Sequence, residues 1–430
     1  MIIKKLIEKI EGEAELDFTF DSGVVEDVRI NFGFYRGIEE ILVGKSARDA
    51  LVITPRVCGI CNHAHLIAAV RAIEDGYRGA GIDVSISNKA RDIREFTLSC
   101  ELIQNHIKWF YMTILPQLEQ LTQTENDQNH FLKASHLSST ITKALAIFAG
   151  QWPHSSYAVP GGVTCDPTHI DIVQAEGYLD SAILFFEREI VGMPLDNYLD
   201  IVSLPQLDSI SGDMGYMIKL LDRYGLSDKG SSHDRFITFG ECMFFKSGKS
   251  IATKVSSVDA SYITESLQSG TTAKAVHYKD RQYEVGPLAR AMMTKEPIIK
   301  SLHKRYKDSL FIRLYARIHE TALLLRHNKI LLNSLYLDEP SCSITHDIKL
   351  DNFQGTGIVE AARGSLVHQT TIVEGSIQNY EIIVPTQWNL SHGSQIENGV
   401  ATEAMIGSST IEEASFIFRS FDVCSVCTTQ

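Results

Sequence analysis

Two cysteine motifs are the most informative features of this sequence. They are Arg56-Val57-Cys58-Gly59-Ile60-Cys61 near its beginning and Asp422-Val423-Cys424-Ser425-Val426-Cys427 near its end. Each contains a Cys-x-x-Cys pair. Two-residue spacing lets both sulfurs face one ion, and thiolates are soft ligands that suit nickel, iron, zinc or copper(I). A redox disulfide fits the same spacing. The pairs therefore predict a soft-metal site or a redox site, and a shared metal would tie the two ends of the chain together.

Zinc held by four cysteines is the simplest alternative, because paired Cys-x-x-Cys motifs are common in structural zinc sites. The pairs of such sites usually stand about 15–20 residues apart in one compact knuckle. Here they lie near opposite ends of 430 residues. This separation disfavours a structural zinc site, which stays open as the last alternative.

Composition and charge are those of a globular enzyme. The 430 residues are 44% hydrophobic, 22% charged and 9% aromatic, which allows a sizeable core. The net charge is −13 and no Lys/Arg-rich block occurs, which speaks against a nucleic-acid or anionic-membrane partner. Eight cysteines in this length make no disulfide scaffold and indicate a reducing compartment or metal chemistry. We expect the four cysteines outside the pairs to be buried core thiols: Cys100, Cys165, Cys242 and Cys342.

Targeting signals are absent from the sequence pattern. No apolar run approaches the roughly 18 residues of a membrane-spanning helix. The first ten residues lack the apolar core and the small-residue cleavage site of a secretory signal. We therefore expect a cytoplasmic location, unless a partner exports the chain or tethers it to a membrane.

Periodicity predicts a mainly α chain with small β elements, an α+β fold in a single domain over residues 1–430. Alternating residues on both sides of a Ser-Gly turn predict a hairpin over 12–32. Apolar spacing of three and four residues predicts helices, the longest with an apolar stripe from Leu310 to Ile330. The predicted helices are 88–123, 130–149, 168–191, 306–336 and 401–421, and the predicted strands are 236–239, 275–278 and 370–384.

The residues around both cysteine pairs resemble the metal-binding motifs of the large subunit of nickel–iron hydrogenases. The first pair, followed by His65, is similar to Arg-x-Cys-Gly-x-Cys-x-x-x-His, and the second is similar to the terminal Asp-Pro-Cys-x-x-Cys-x-x-His. Each match is weak alone, but further stretches resemble other motifs of this family in the family's order. They are Ile10-Glu11-Gly12, Arg36-Gly37-Ile38-Glu39, 153–155 with 160–163, 283–290, 360–368 and 385–389.

The resemblance implies the large-subunit fold, in which the N- and C-terminal segments converge on a metal site beside a central bundle of long helices. It also implies a nickel–iron centre with cyanide and carbon monoxide on the iron. Cys58 and Cys424 would be terminal nickel ligands, and Cys61 and Cys427 would bridge nickel to iron. Soft, anionic sulfur donors suit this assignment.

The implied reaction is the heterolytic cleavage of H2, its reversible oxidation to protons and electrons. A nickel-bound thiolate such as Cys424 would take the proton, and Glu11 would pass it onward. Arg363 would lie above the open metal position, and a pair with Asp422 would hold it there. His65 would donate a hydrogen bond toward a bridging sulfur.

Further residues would surround the centre. Asn105 stands where some relatives have aspartate, so it would change the field around Arg363, and His106 follows it. Ala362 and Val423 stand where the family usually has proline. Both are apolar replacements in the shell around the diatomic ligands of the iron, where they would tune the site.

A second metal, magnesium or a similar ion, is implied near the C-terminus. Glu39 matches its carboxylate ligand, and hard oxygen ligands suit magnesium. Gln430 stands where the family has a histidine ligand. Its amide oxygen is also a possible magnesium ligand.

The chain has no spare cysteine cluster for iron–sulfur centres, so electrons would leave through an obligate iron–sulfur small subunit. Further electron-transfer subunits or higher oligomers of the heterodimer are compatible with this. Two other functions stay open: a regulatory hydrogen sensor with slight turnover, and a hydrogenase-like subunit of a membrane energy-converting complex. The nearly complete set of motifs favours the catalytic large subunit.

Overall fold

The computed structural model describes residues 2–10, 12–124, 129–240, 249–251, 255–267, 273–344, 351–394 and 396–428. Three residues of the sequence predictions lie outside these ranges: Glu11, Cys242 and Gln430. Helices dominate the described part of the chain, and the strands form small separate sheets.

The α-helices follow one another along the whole chain. They are α1 (Ile38–Leu42), α2 (Ala50–Ile53), α3 (Asn62–Gly79), α4 (Asn88–Trp109), α5 (Leu115–Thr122), α6 (His130–Ala149), α7 (His169–Phe185), α8 (Leu195–Leu199), α9 (Asp213–Arg223), α10 (Pro287–Thr294), α11 (Pro297–Tyr306), α12 (Leu310–Ser334), α13 (Pro385–Asn389), α14 (Val400–Met405), α15 (Ile411–Ser420) and α16 (Ser425–Thr428). Single π-helical turns extend α4 over Phe110–Ile114 and α7 over Phe186–Val191.

The strands pair with close sequence neighbours, so every sheet is antiparallel. They are β1 (Ile2–Ile10), β2 (Gly12–Asp21), β3 (Val24–Asn31), β4 (Ala158–Val159), β5 (Gly162–Val163), β6 (Phe236–Ile237), β7 (Lys249–Ile251), β8 (Val255–Ser257), β9 (Ile263–Leu267), β10 (Lys274–Tyr278), β11 (Phe353–Ala361), β12 (Gly364–Val373) and β13 (Ser376–Ile383). Three-stranded sheets join β1-β2-β3, β6-β7-β8 and β11-β12-β13.

Four long helices, α4, α6, α7 and α12, pack against one another as a bundle. Local sequence sets where they begin. The Ser87 hydroxyl accepts a hydrogen bond from the N–H of Ala90 at 3.0 Å and so begins α4. Thr168 begins α7 through reciprocal hydrogen bonds with Asp171. Such caps satisfy N–H groups that have no partner within the helix.

Helix α3 lies directly on strand β11, and this contact positions the first cysteine pair. A Cβ atom at Gly357 would lie 1.9 Å from the carbonyl oxygen of Ala68, and Gly355 is equally confined. No side chain fits there, so glycine is required for the close approach of helix and strand. Helix α3 starts directly after Cys61, and β11 leads into the turn that carries Arg363. The contact therefore brings these two parts of the site together.

The helix-rich α+β class and most predicted elements are confirmed. The hairpin over 12–32 corresponds to β2 and β3, which pair across Ser22-Gly23. The predicted helices 88–123, 130–149 and 168–191 correspond to α4 with α5, to α6, and to α7 with its π-helical turn. Their apolar spacing was long and regular, which is why periodicity located them.

Two predicted elements are interrupted by turns. The strand predicted over 370–384 is broken at Glu374-Gly375, where both residues have positive φ angles of 51° and 76°. The residues on either side pair with each other in β12 and β13. The helix predicted over 401–421 is two helices, α14 and α15, because the chain turns at Gly407 with φ 82°.

Burial differs from the prediction at three positions. Ile330 is 58% exposed. It stands five residues after the preceding stripe residue, a step that rotates it about 140° away from the apolar face of α12. Cys165 and Cys342 are half-buried rather than core thiols, whereas Cys100 is buried as predicted.

Candidate metal centre

The four cysteines of the two pairs converge in one buried cluster. The Sγ atoms of Cys58 and Cys424 lie 3.7 Å apart, and those of Cys61 and Cys427 lie 3.5 Å apart. Within the second pair the sulfurs are 2.9 Å apart. Those of Cys58, Cys61 and Cys427 all lie within 4.8 Å of one another. Four soft donors from opposite ends of the chain thus surround one small volume, as a thiolate metal site requires.

Arg36 joins the loops of the two pairs. The first pair follows a 3-10 turn at Thr54–Arg56, and the Arg36 guanidinium donates to the carbonyl oxygen of Arg56 at 3.1 Å and to that of Val57. The same side chain reaches the carbonyl oxygen of Val426 at 3.5 Å. One cation therefore holds backbone oxygens beside both pairs. The sequence placed Arg36 in a family motif but assigned it no role.

Glu101 on α4 holds the start of α3. Its carboxylate accepts hydrogen bonds from the backbone N–H groups of His63 at 2.7 Å and Ala64 at 3.0 Å. N–H groups in the first turn of a helix have no partner within it, and the two carboxyl oxygens of Glu101 satisfy two of them. Burial raises the pKa of Glu101 to about 8. Glu101 was not among the predicted site residues, because a single glutamate within a helix matches no motif.

The second pair follows a tight turn after α15. The turn lies at Asp422, whose φ of 55° is in the left-handed region, which aspartate adopts more readily than most residues. Cys424 comes directly after it, and Cys427 lies on the short helix α16. The hydroxyl of Thr428 donates to the carbonyl oxygen of Cys424 at 3.2 Å. The turn and this hydrogen bond hold the last pair against the first.

Electrostatics favour a thiolate at Cys58. Neighbouring thiols, that of Cys424 first, donate hydrogen bonds to its sulfur, and the charge of Arg363 attracts it, so the pKa of Cys58 lies well below its ordinary value. Burial raises the pKa of Cys424 well above the ordinary value. In the protein alone the cluster therefore concentrates its negative charge on one sulfur. A bound metal displaces the remaining thiol protons, because only thiolates are ligands.

Arg363 faces the cysteines from the turn between β11 and β12. Its Nε donates to the backbone oxygen of Asp422 at 2.7 Å, and its Nη2 donates to Oδ1 of the same residue at 3.2 Å. Its Nη1 is buried and has no hydrogen-bond partner among the described residues. Leaving a buried donor unpaired is costly. This N–H is therefore available to a group that binds beside the cysteines.

Asp422 is shared by several donors. Nη1 of Arg317 donates to its Oδ2 at 2.9 Å. The Asn105 side chain, with its NH2 group facing the carboxylate, donates to Oδ2 at 2.9 Å and accepts from Arg363 Nη2 at 3.2 Å. Asn105 therefore lies between Arg363 and Asp422 and contacts both.

A buried ion network continues behind Arg317. Its Nη1 also donates to Nδ1 of His106 at 3.1 Å, and Nε2 of His106 donates to Glu320 at 2.8 Å. Burial lowers the pKa of His106 to about 4, so the ring is neutral. Glu320 accepts two hydrogen bonds from Arg290, at 2.6 Å and 2.7 Å. Arg290 in turn donates to Glu360 at 3.0 Å.

A small cavity lies beside the cysteine cluster. His65, which lies one helical turn after Cys61 on α3, lines it and is buried. Its Nδ1 lies 3.0 Å from Nε2 of His368. The residues that line the cavity are Cys61, His65, Ala361, Arg363, Leu366, Val384, Pro385, Thr386 and Cys427.

The two positions where proline was expected are buried. Ala361, rather than Ala362 or Val423, supplies apolar surface to the cavity. The carbonyl oxygen of Ala362 lies 3.4 Å from donors of both Arg290 and Arg317. Ala362 therefore connects the cavity wall to the ion network through its backbone.

Glu39 has its own partners. Its Oε1 accepts from the backbone N–H of Ile382 at 2.7 Å, and Nζ of Lys274 lies 3.0 Å from its Oε2. The same ammonium lies 3.3 Å from Glu265. One lysine therefore stands between two carboxylates at the position where a second metal was predicted. Gln430, the other predicted ligand, lies outside the described residues, as Glu11 does.

Comparison with known proteins gives matches over nearly the whole chain. The family model of the nickel-dependent hydrogenases matches residues 36–118 and 244–430. The periplasmic [NiFeSe] hydrogenase large subunit of Desulfomicrobium baculatum is 24% identical, over 93% of this chain and 88% of that protein. Sulfhydrogenase 1 subunit alpha of Pyrococcus furiosus is 23% identical, over 98% and 96%. The reduced Ni-Fe-Se hydrogenase of D. vulgaris Hildenborough has the same fold, with a TM-score of 0.85, 22% identity and 100% coverage of both chains.

The buried cluster of thiols suits a soft metal, and the matching family consists of metal-dependent oxidoreductases. The chain belongs to the nickel-dependent hydrogenase family. It is therefore a hydrogenase with a nickel–iron centre, and its reaction is the reversible oxidation of H2. Membership of this family rules out the alternative of a structural zinc site. The relatives are hydrogenase large subunits, which favours the catalytic large subunit over a sensor or a subunit of an energy-converting complex. Among the described residues, no helix is both long and apolar enough to cross a membrane.

Proposed function

We propose that Cys58 and Cys424 are the terminal nickel ligands and that Cys61 and Cys427 bridge nickel to iron. The terminal and bridging roles come from the motif resemblance, and the observation that supports one shared centre is the pairing of the sulfurs, because each contact at 3.7 Å or 3.5 Å joins one cysteine from each end of the chain. The described residues contain no other such cluster of three or more potential ligands. One relative is named for selenium as well as nickel and iron, whereas all four ligands here are cysteine sulfurs.

The cavity beside Cys61 and Cys427 is suited to cyanide and carbon monoxide on the iron. Its walls are largely apolar, and the unpaired Nη1 of Arg363 supplies a hydrogen-bond donor. Apolar walls exclude water, and a single donor suffices for a small ligand with one free end. When bound, the nickel–iron centre supplies the Lewis-acid and redox chemistry that cleaves H2 and takes up its electrons.

Side chains of this protein accept and transfer the proton that is released from H2. Sγ of Cys424 accepts it, and Glu11 passes it onward, an assignment that rests on the Ile-Glu-Gly motif. Arg363 holds a fixed positive charge beside the reacting position, because Asp422 orients it and a guanidinium does not deprotonate.

An iron–sulfur small subunit is the proposed electron acceptor. The segment that contributes Arg36 to the cysteine loops also exposes large apolar side chains, namely Phe34, Tyr35, Ile41, Val43 and Val52. Exposed apolar patches of this kind mark protein contacts. A partner bound there would lie beside the loops that hold the metals, which shortens the electron path. The proposed location is the cytoplasm, which cell fractionation checks.

Magnesium or a similar ion bound by Glu39 and Gln430 is a further part of this proposal. Glu39 already faces the ammonium of Lys274 at 3.0 Å. A divalent cation would therefore have to displace that ammonium or bind with water between them. Magnesium content of the purified protein tests this point.

The experiment that tests the nickel–iron assignment is metal analysis and infrared spectroscopy of the complex purified from a host that matures hydrogenases. We expect one nickel per large subunit and iron in excess of nickel, because the proposed partner also carries iron–sulfur clusters, together with the infrared bands of metal-bound cyanide and carbon monoxide. Cys424→Ser should lose nickel, and Cys100→Ser, which changes a buried thiol outside the cluster, should retain it. A matured complex without those bands, or a Cys424→Ser complex that retains nickel, would contradict the proposal.

A further inference from the structure

His65, His368 and Tyr380 form a chain of hydrogen bonds that ends at the metal cavity. Nδ1 of His65 lies 3.0 Å from Nε2 of His368, and Nδ1 of His368 lies 2.9 Å from the hydroxyl oxygen of Tyr380. All three residues are at most 3% exposed. Within the described part of the chain, their side chains have no other hydrogen-bond partners. The proton positions along this chain are therefore linked.

The sheet that carries two of these residues sets their distance. His368 on β12 pairs with Ile382 on β13, and Tyr380 stands two residues before Ile382. Residues two apart on a strand share a face, so Tyr380 is the diagonal neighbour of His368. His65 approaches from α3, which packs against both β11 and β12. The contact thus depends on the same packing that places the first cysteine pair.

Burial decides which atoms carry the protons. Nδ1 of His65 and Nε2 of His368 lie 3.0 Å apart, so only one of these two nitrogens carries a proton, and burial without a carboxylate partner among the described residues disfavours a charge on either ring. A neutral imidazole has one N–H and one bare nitrogen. If Nδ1 of His368 donated to Tyr380, the buried tyrosine proton would have no acceptor, which is costly. Tyr380 therefore donates to His368, His368 donates to Nδ1 of His65, and the proton of His65 lies on Nε2.

We propose that Tyr380 and His368 are positioning residues that fix the Nε2–H tautomer of His65 and direct this N–H toward the cysteine sulfurs. The inference rests on the proposed function. His65 lines the same cavity as Cys61 and Cys427, and Nε2 is the ring nitrogen that His368 leaves available. The opposite arrangement would turn a bare lone pair toward anionic sulfur. A hydrogen bond to a thiolate withdraws electron density from the sulfur and from the metal that it binds.

Infrared spectroscopy of the matured complex tests this, because the metal-bound carbon monoxide band reports electron density at the iron. Tyr380→Phe removes the donor that orders the chain, and we expect the band to move to lower wavenumber. Tyr111→Phe is the matched control. It also removes a buried tyrosine hydroxyl, one that donates to Asp213 at 2.6 Å. Tyr111 is not part of the hydrogen-bonded chain formed by His65, His368 and Tyr380. Its band should stay at the wild-type position.

Two substitutions of His368 separate positioning from packing. In His368→Gln the amide NH2 can take the place of Nε2–H and donate to His65, so we expect the wild-type band position. His368→Leu fills similar space without a donor, and its band should shift as in Tyr380→Phe. The inference would be overturned, with the proposed function unaffected, if the carbon monoxide band stayed at its wild-type wavenumber in both Tyr380→Phe and His368→Leu. Equal band shifts in both His368 variants would overturn it in the same way. Wild-type protein without these bands would overturn the proposed function and this inference with it.

Discussion

Arg363 contacts Asp422 at two points, with Nε donating to its backbone oxygen at 2.7 Å and Nη2 donating to its Oδ1 at 3.2 Å. Two hydrogen bonds from one planar guanidinium fix its orientation as well as its position. Asp422 is also the second residue before Cys424, so the same residue orients the positive charge and begins the segment that carries a proposed nickel ligand. The guanidinium of Arg363 and the sulfur of Cys424 are therefore positioned by the same residue.

Asp422→Asn should destabilise the protein by roughly 3–5 kcal/mol, the usual cost of leaving a buried charge without its partner. Among the groups joined by hydrogen bonds in this network the formal charges balance, since three arginines face three carboxylates and His106 is neutral. These are Arg290, Arg317 and Arg363 with Glu320, Glu360 and Asp422. Replacement by asparagine leaves one positive charge in excess. The free energy of unfolding, measured with urea, checks the expected loss.

Arg317→Met tests whether charge balance is the cause. Alone it removes one cation and should also destabilise the protein. Combined with Asp422→Asn it restores balance, so the double variant should be more stable than the sum of the two single effects predicts. Strictly additive effects would show that the two residues do not act through this network.

Glu101→Gln should make the stability less dependent on pH. Burial raises the folded-state pKa of Glu101 to about 8 from its ordinary value of 4.5. The folded protein therefore keeps a proton that the unfolded chain has lost, and this contribution to stability falls as the pH rises from 4.5 through 8. Within that window the difference in slope between wild type and variant should approach about 1.4 kcal/mol per pH unit. Urea unfolding at several pH values measures it.

The groups that face Glu101 are common to both proteins. Nδ1 of His63 lies 3.8 Å from the carboxylate, and burial lowers the pKa of this histidine to about 3. The contribution of His63 to stability rises with pH, opposite to that of Glu101, and this change occurs below pH 6.5, where the unfolded histidine gains a proton. Between pH 6.5 and 8, the pH dependence of the free energy of unfolding therefore reports on Glu101 without a contribution from His63. Parallel curves for wild type and Glu101→Gln in that range would refute the prediction.

The proposed metal ligands were predictable from sequence, because a ligand pair is a local pattern. Cys58-x-x-Cys61 places two sulfurs on one side of a short loop whatever surrounds it. The partner pair at the other end of the chain gave the same signal. Their meeting in space, at 3.7 Å and 3.5 Å, confirms that the two patterns form one cluster.

The residues that orient this cluster were not predictable in the same way. Glu101 and Arg317 lie within long helices, and their roles arise only when another element packs against them. His368 belonged to a matched motif, but its hydrogen bonds to His65 and Tyr380 cross from a strand to a helix and to another strand. Such contacts depend on tertiary packing, which periodicity within one element does not encode.

Gly357→Ala should destabilise the protein by about 1–3 kcal/mol or more, because overpacking forces the backbone to move. The new Cβ would lie 1.9 Å from the carbonyl oxygen of Ala68, so α3 and β11 would have to separate. That movement would displace the start of α3 and the first cysteine pair. We therefore also expect less nickel in the purified complex, measured by elemental analysis.

Gly177→Ala is the matched control for this substitution. Gly177 lies within α7, and a Cβ there would meet no atom within 4 Å. Alanine in the middle of a helix should stabilise the protein by roughly 0.5–1 kcal/mol relative to glycine. Equal unfolding midpoints for Gly357→Ala and wild type would show that the contact of α3 with β11 adapts without cost.

Lys274→Met should increase the affinity for magnesium. Nζ of Lys274 lies 3.0 Å from Glu39 and 3.3 Å from Glu265, so it neutralises the carboxylates that a divalent cation would use. Without the ammonium the two acids repel each other, and a cation bound between them relieves this repulsion. Because a ligand that binds only the folded state stabilises it, added magnesium should raise the unfolding temperature of Lys274→Met more than that of wild type. Glu39→Gln in the same background should abolish the extra response, and an equal response in all three proteins would exclude Glu39 as a magnesium ligand.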